Sequence, residues 1–213
     1  MPEEGGQPGV EALPKRCLTR LSIWGGIMKS FWKRLLLVGC AGFFWYAVAS
    51  CGGTPSDGGI PTNLQSNDIP GTMIASTFVR AACGGDDLSP QLYWNYIPAT
   101  AESLAITVLD DTANDFVHWI MYNIPPTTLE LVRGTTPPGG AVEATNDYGE
   151  VGYGGPCPPS GDIHFYKFKI WVLNIADLAG AEGFDANDNT TILEALRDHE
   201  TRTDEFQSGY RAP

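Results

Sequence analysis

A chain of 213 residues with 43% apolar side chains can hold one domain with appendages and build a real core. A formal charge of −12 lacks the basic face that phosphate backbones require, so nucleic acid is not an expected partner. The same charge disfavours general adsorption to anionic lipid, so any bound anion must be held by a few local groups.

The first fifty residues are a different material from the rest. Met28 opens a basic stretch (Lys29, Lys33, Arg34), followed by the apolar and small-residue run Leu35 to Ser50 and then Cys51-Gly52. A basic start, a short apolar stretch and a small-residue cleavage site describe a secretory signal. The 16-residue run is short for a spanning helix, which needs about 20 residues. Cys51 directly after Val48-Ala49-Ser50 resembles a bacterial lipobox, so Cys51 is expected to be lipidated and to become the mature N-terminus. Met28 begins a complete signal by itself, so residues 1–27 are expected to lie upstream of the true start. Residues 51–65, rich in glycine, serine and proline, read as a flexible tether, leaving 66–213 as the folded domain. The expected location is therefore exported and membrane-anchored, at the outer membrane or periplasm of a two-membrane cell and otherwise at the cell surface. From Gly52 onward 22 acidic residues face 7 basic ones, a charge near −15. Of five cysteines, Cys17 and Cys40 fall in the removed segments and Cys51 carries lipid. Cys83 and Cys157 remain, and an even pair in an exported domain is most simply a disulfide, with two free thiols as the alternative.

Three strands stand out in the domain: Ser103 to Leu109, Phe116 to Ile124 and His164 to Leu173, each dominated by β-branched or aromatic residues and bounded by turn signals. One helix is expected from Thr191 to about His199, with Thr191 and Glu194 as its capping box, and a second short helix is conceivable at 175–182. Strands first, a helix late and no βαβ rhythm give a mostly β domain with peripheral helices.

Period-two geometry places His164 and Tyr166 on one face with Phe168 and Ile170, Asp110 with Val108 and Ile106, and His118 with Ile120 and Tyr122. Each polar residue sits at a strand end near a turn-rich mouth, although each histidine could equally be a satisfied packing residue. The segment 152–161 supplies glycines and prolines that hold an open backbone shape, and Gly154 and Gly155 are expected to turn their amides toward a ligand as a nest. Metal binding by His118, His164, Asp110 and Cys157 has no supporting HxH or HxxxH spacing. A hydrolase using Ser160 or Ser89 lacks the G-x-S-x-G elbow. A small anion pocket, with histidine and tyrosine donors, fits best.

Four segments together carry a family resemblance: CGGDDLSPQLYW (83–94), LAITVLDDTAND (104–115), FVHWIMYNIP (116–125) and YGGPCPPSGDIHFYKFKIWVL (153–173). In order and spacing they resemble the phosphatidylethanolamine-binding protein (PEBP) family, in its bacterial Raf-kinase-inhibitor-like branch. The resemblance implies a β-sandwich with a large central antiparallel sheet, a smaller sheet and a few short peripheral helices. It also implies a pocket for phosphate-like groups, here lined by Asp110, His118, Gly154, Gly155, Pro156, Pro158, His164 and Tyr166. It calls for no catalytic residue, metal or cofactor. The implied partners are a small anionic ligand or phospholipid headgroup and the membrane through Cys51. Because family members also inhibit kinases or proteases, an extracytoplasmic protein partner is the second reading. Two departures stand out: Phe165 replaces the arginine of the family's H-R-Y motif, and the loop after Asp110 lacks the family's proline.

Overall fold

The computed structural model describes residues 62–213. The expected signal segment, the upstream residues, Cys51 and most of the tether lie outside the described residues. Packing begins earlier than the expected boundary at residue 66. Thr62 and Leu64 are buried, and Gln65 exchanges backbone hydrogen bonds of 2.8 and 2.9 Å with Tyr93.

Among the described residues, seven strands form two antiparallel sheets. β1 (Leu92–Tyr93) pairs with β4 (Glu130–Leu131). The larger sheet orders β5 (Val142–Glu143), β3 (Phe116–Ile124), β2 (Ser103–Asp110), β6 (Ile163–Leu173) and β7 (Glu200–Arg211) side by side. The three strands expected from sequence are the three central ones, and β2 is buried along its whole length. Its near-continuous apolar run follows from that, because both faces of the sheet are covered.

One face of the large sheet packs Ile106, Val108, Trp119, Phe168 and Ile170 against Leu92, Trp94 and Leu131 of the small-sheet region. The opposite face packs Ala105, Ile120, Trp171 and Leu173 against Leu178 and the α1 residues Ile192, Leu193 and Leu196. Helix α1 spans Asn189–Asp198 and starts two residues before the expected Thr191. Its cap is Asp188, whose carboxylate accepts the Thr190 N–H at 2.8 Å. Thr191 instead donates its hydroxyl to the carbonyls of Asp185 and Asp188. The second expected helix is reduced to a 3₁₀ turn at Leu178–Gly180. Among the described residues no helix is long and apolar enough to cross a membrane.

The longest strand, β7, is not one of the expected elements. Its sequence ETRTDEFQSGYR is buried only at Ser208 and Gly209, because it is the sheet's edge and pairs only with β6 along its full length. A polar edge discourages unwanted pairing with other chains but erases the alternation that marks a strand. Residues 72–74 run alongside its end, through hydrogen bonds of 2.7 Å from Ile74 N–H to Gly209 and from Gly209 N–H to Thr72.

Candidate functional site

The site residues gather where β2 ends, β3 begins and β6 enters the sheet. Asp110 stands opposite Tyr166 in the β2–β6 register and opposite Phe116 in the β2–β3 register. Its carboxylate is 3% exposed and fully engaged. Oδ1 accepts the N–H groups of Thr112 (2.9 Å) and Ala113 (3.2 Å), while Oδ2 accepts from His164 Nδ1 at 2.6 Å. The proline-free loop is thus a tight turn organised by Asp110 itself, with Asn114 and Asp115 in the left-handed region (φ 53° and 57°) that Asn and Asp tolerate best after glycine.

His118 reaches this cluster by a route that strict alternation does not anticipate. Val108 pairs with Trp119 but Leu109 pairs with Val117, so β3 carries one extra residue, His118, as a β-bulge. Ile120 and Tyr122 face the helix-side core, whereas His118 turns toward Tyr166, with ring centroids 5.0 Å apart and planes near perpendicular. The expectation that His118 shares a face with Ile120 and Tyr122 is therefore corrected. The bulge is what brings the histidine to the same side as Asp110 and Tyr166.

The His118 ring is 2% exposed, bordered by Phe116, Tyr148 and Tyr166, with its Nδ1 2.6 Å from the Gly154 carbonyl. A carbonyl only accepts, so Nδ1 carries the hydrogen and the neutral ring leaves Nε2 as a lone pair. Burial lowers the His118 pKa below its usual value, and the Gly154 and Gly155 carbonyls and the Asp110 and Asp147 carboxylates pull the other way without overcoming it. The ionisation of Tyr166 is pushed up, first by burial and then by the negative charge of Asp110.

The lowered His118 value has a direct effect on stability. As pH falls below about 6.5, the imidazole of the unfolded chain takes up a proton that the folded one resists, so the stability linked to this residue is present above that pH and declines below it. Urea unfolding at pH 7.5 and 5.5 checks this. The loss on acidification is expected to be larger for the native chain than for His118→Asn, and equal losses would contradict it.

Gly154 and Gly155 sit where expected but act differently. The Gly154 N–H donates to the His118 carbonyl at 2.8 Å and the Gly155 N–H donates to Asp87 Oδ1 at 2.7 Å, so the expected amide nest is already occupied by the protein. Their missing side chains serve close packing. A Cβ on Gly154 would lie 2.8 Å from the Tyr148 ring, and one on Gly155 would lie 2.3 Å from the Phe78 carbonyl oxygen. Pro156 and Pro158 are buried, and the Pro156 carbonyl accepts the Arg80 N–H at 3.2 Å, so this rim is tied to residues 78–87. Tyr153 adds a hydrogen bond to the Phe78 carbonyl at 2.8 Å, and Cys83 and Cys157 form a disulfide with Cα atoms 5.7 Å apart. With Cys157 held in that bond, the cysteine is not a ligand beside the histidines. Ser160 gives its hydroxyl to the Pro213 carbonyl, and the third histidine, His199, pairs with Asn174 at 3.0 Å.

Sequence reasoning missed three neighbours. Tyr148 makes edge contacts with Phe116 and His118, with centroids 4.9 and 5.4 Å away, and the Arg80 guanidinium lies 3.8 Å above its ring while pairing with Glu150 at 2.7 Å. Asn146, 3% exposed, shapes that loop by donating to the Gly152 carbonyl and accepting the Tyr148 and Glu150 N–H groups. Asp87 is the third neighbour. The runs GGDD (84–87) and NDYG (146–149) are made of turn-forming residues, but nothing local shows that Asp87 reaches Gly155 or that Tyr148 covers His118.

These residues form a small aromatic and carboxylate-braced cluster at one end of a two-sheet domain. Residues 65–210 match the family model described as phosphatidylethanolamine-binding protein, and the chain belongs to that family. It is similar to the UPF0098 protein YbcL of Escherichia coli, 43% identical over 123 residues that cover 52% of this chain and 67% of that protein. A UPF0098 protein of Methanothermobacter thermautotrophicus is 39% identical over 128 residues, covering 56% of this chain and 80% of its own length. The crystal structure of E. coli YbcL, described as a new member of the mammalian PEBP family, superposes with a TM-score of 0.63 at 33% identity, covering 71% of this chain and 98% of that one. The putative PEBP homologue CT736 of Chlamydia trachomatis gives 0.59 at 31% identity, covering 70% and 97%.

Proposed function

We propose that this protein is a lipid-anchored binding protein, not an enzyme, that holds a small phosphate-like or headgroup-like anion against Asp110, His118, His164 and Tyr166. The observation that carries the reading is the 2.6 Å contact of Asp110 with His164 Nδ1, which fixes one imidazole beside a second at the end of the sheet. An imidazole oriented by a carboxylate turns its other nitrogen outward, where it can hydrogen-bond a ligand's oxygen or hydroxyl. Changing both His118 and His164 to alanine is expected to weaken phosphorylethanolamine binding at least tenfold, about 1.4 kcal/mol, while the circular dichroism spectrum is kept. Undiminished binding by a folded double variant would dismiss the reading.

The Cys51 anchor is part of the same proposal. A Cys83–Cys157 disulfide suits an oxidising, extracytoplasmic compartment, which supports export. Labelling cells with an alkyne fatty acid should mark the native protein but not Cys51→Ser. The alternative, a protein-interaction surface, draws support from Val151, 72% exposed on the loop that carries Tyr148.

A further inference from the structure

Taking the binding reading above as its basis, we propose that the site selects a phosphate monoester in its singly protonated form over a phosphodiester. The argument is a hydrogen-bond inventory. Both imidazoles turn Nδ1 toward an acceptor within the protein, His118 toward the Gly154 carbonyl and His164 toward Asp110 Oδ2, each at 2.6 Å. In the neutral rings, both Nε2 atoms are then acceptors. The two rim amides are engaged with the His118 carbonyl and Asp87. At the site, the neutral imidazoles and the two rim amides therefore have no hydrogen left to give a ligand. A fully ionised phosphate brings only lone pairs to the site, whereas a singly protonated monoester brings a P–OH that can donate to His118 Nε2. A diester, the form of phosphate in an intact phospholipid, has no such proton.

Protonating His118 itself is the competing way to supply a donor. The ring is faced by Asp110 from β2, by Tyr166 from β6, and by Tyr148 and Asp147 from the loop after β5. Arg80 lies beyond Tyr148, and Asp87 holds the Gly155 amide. The two carboxylates nearest the ring favour the imidazolium, but its enclosure by Phe116, Tyr148 and Tyr166 disfavours it more. The proton is thus better carried by the ligand.

The test titrates the full chain in detergent micelles with phosphorylethanolamine and with glycerophosphoethanolamine, by calorimetry, at pH 5.5, 6.5 and 7.5. The monoester is expected to bind at least tenfold more tightly than the diester at pH 5.5. Its affinity should then fall nearly tenfold from pH 6.5 to 7.5, above the phosphate second pKa near 6 (about 6 for phosphorylated side chains). His118→Asn, which keeps a donor for Gly154 but loses the Nε2 acceptor, should bring the monoester-to-diester ratio toward one. Equal affinity for the two ligands, or a monoester affinity that holds steady or rises to pH 7.5, overturns the selectivity while leaving the binding reading intact. Failure of both ligands at every pH overturns the binding reading and the selectivity with it.

Discussion

Replacing Cys83 and Cys157 together by alanine lowers the unfolding free energy by about 4 kcal/mol, the loss expected when a covalent loop of this length is opened in the unfolded chain. The bridge spans 74 residues, so its removal frees many unfolded conformations, and its Cα separation of 5.7 Å is within the ordinary range for a disulfide. Against the 5–15 kcal/mol typical of a domain this is a large share. The effect should be seen as a lower urea midpoint, with a slope that rises because the unfolded chain is less compact. The folded site should survive in the variant, because Arg80 N–H to Pro156, Gly155 N–H to Asp87 and Tyr153 to Phe78 still join the same two segments. A loss under about 1 kcal/mol would mean that these hydrogen bonds already restrict the unfolded chain, or that the bridge does not form.

Gly155→Ala is expected to cost about 3 kcal/mol, at the high end for overpacking a closed site. The added methyl would sit 2.3 Å from the Phe78 carbonyl oxygen, 2.6 Å from Arg80 N and 2.7 Å from the Val79 carbonyl carbon. All three are backbone atoms of a segment tied to the rim by the disulfide and three hydrogen bonds, so no flexible side chain can move aside. If the segment shifts instead, the neighbouring Gly154 carbonyl moves with it and His118 loses the acceptor that fixes its ring. The variant should therefore lose ligand affinity along with stability. Gly139→Ala is the control, since nothing lies within 4 Å of its would-be Cβ and its φ is not positive. It should stay within about 0.5 kcal/mol of the native chain. Thermal melts of the two variants side by side decide the matter, and comparable melting points would refute the packing argument.

The central strands were legible because burial on both faces leaves a continuous apolar signature in Ser103–Asp110 and the aromatic-rich strands on either side. The edge strand Glu200–Arg211 was not, because an exposed edge needs charge more than it needs alternation. For the site, Asp110, His164 and Tyr166 follow period two and fall together as expected. Phe165, 42% exposed, lies on the opposite face from His164, as alternation requires. His118 came to the cluster only through a bulge, which depends on pairing across two strands and leaves no local mark. Gly154 and Gly155 lie beside His118, but their amides, expected to face a ligand, are held by the His118 carbonyl and Asp87, and long-range partners of that kind cannot be read from spacing.

The bulge also constrains how this protein can be altered. Because one supernumerary residue decides which side of the sheet His118 faces, the length of Phe116–Ile124 is fixed in a way that its composition is not. A deletion beside Val117 would turn the imidazole toward the helix, and an insertion there would displace Trp119 from the opposite core. Libraries aimed at new ligands can therefore vary the half-buried Phe116 and the site-facing His118 while keeping the residue count, since Trp119, Ile120, Met121 and Tyr122 are core residues. Changes of length belong in the exposed turn around Gly139 and Gly140, where there is room for them.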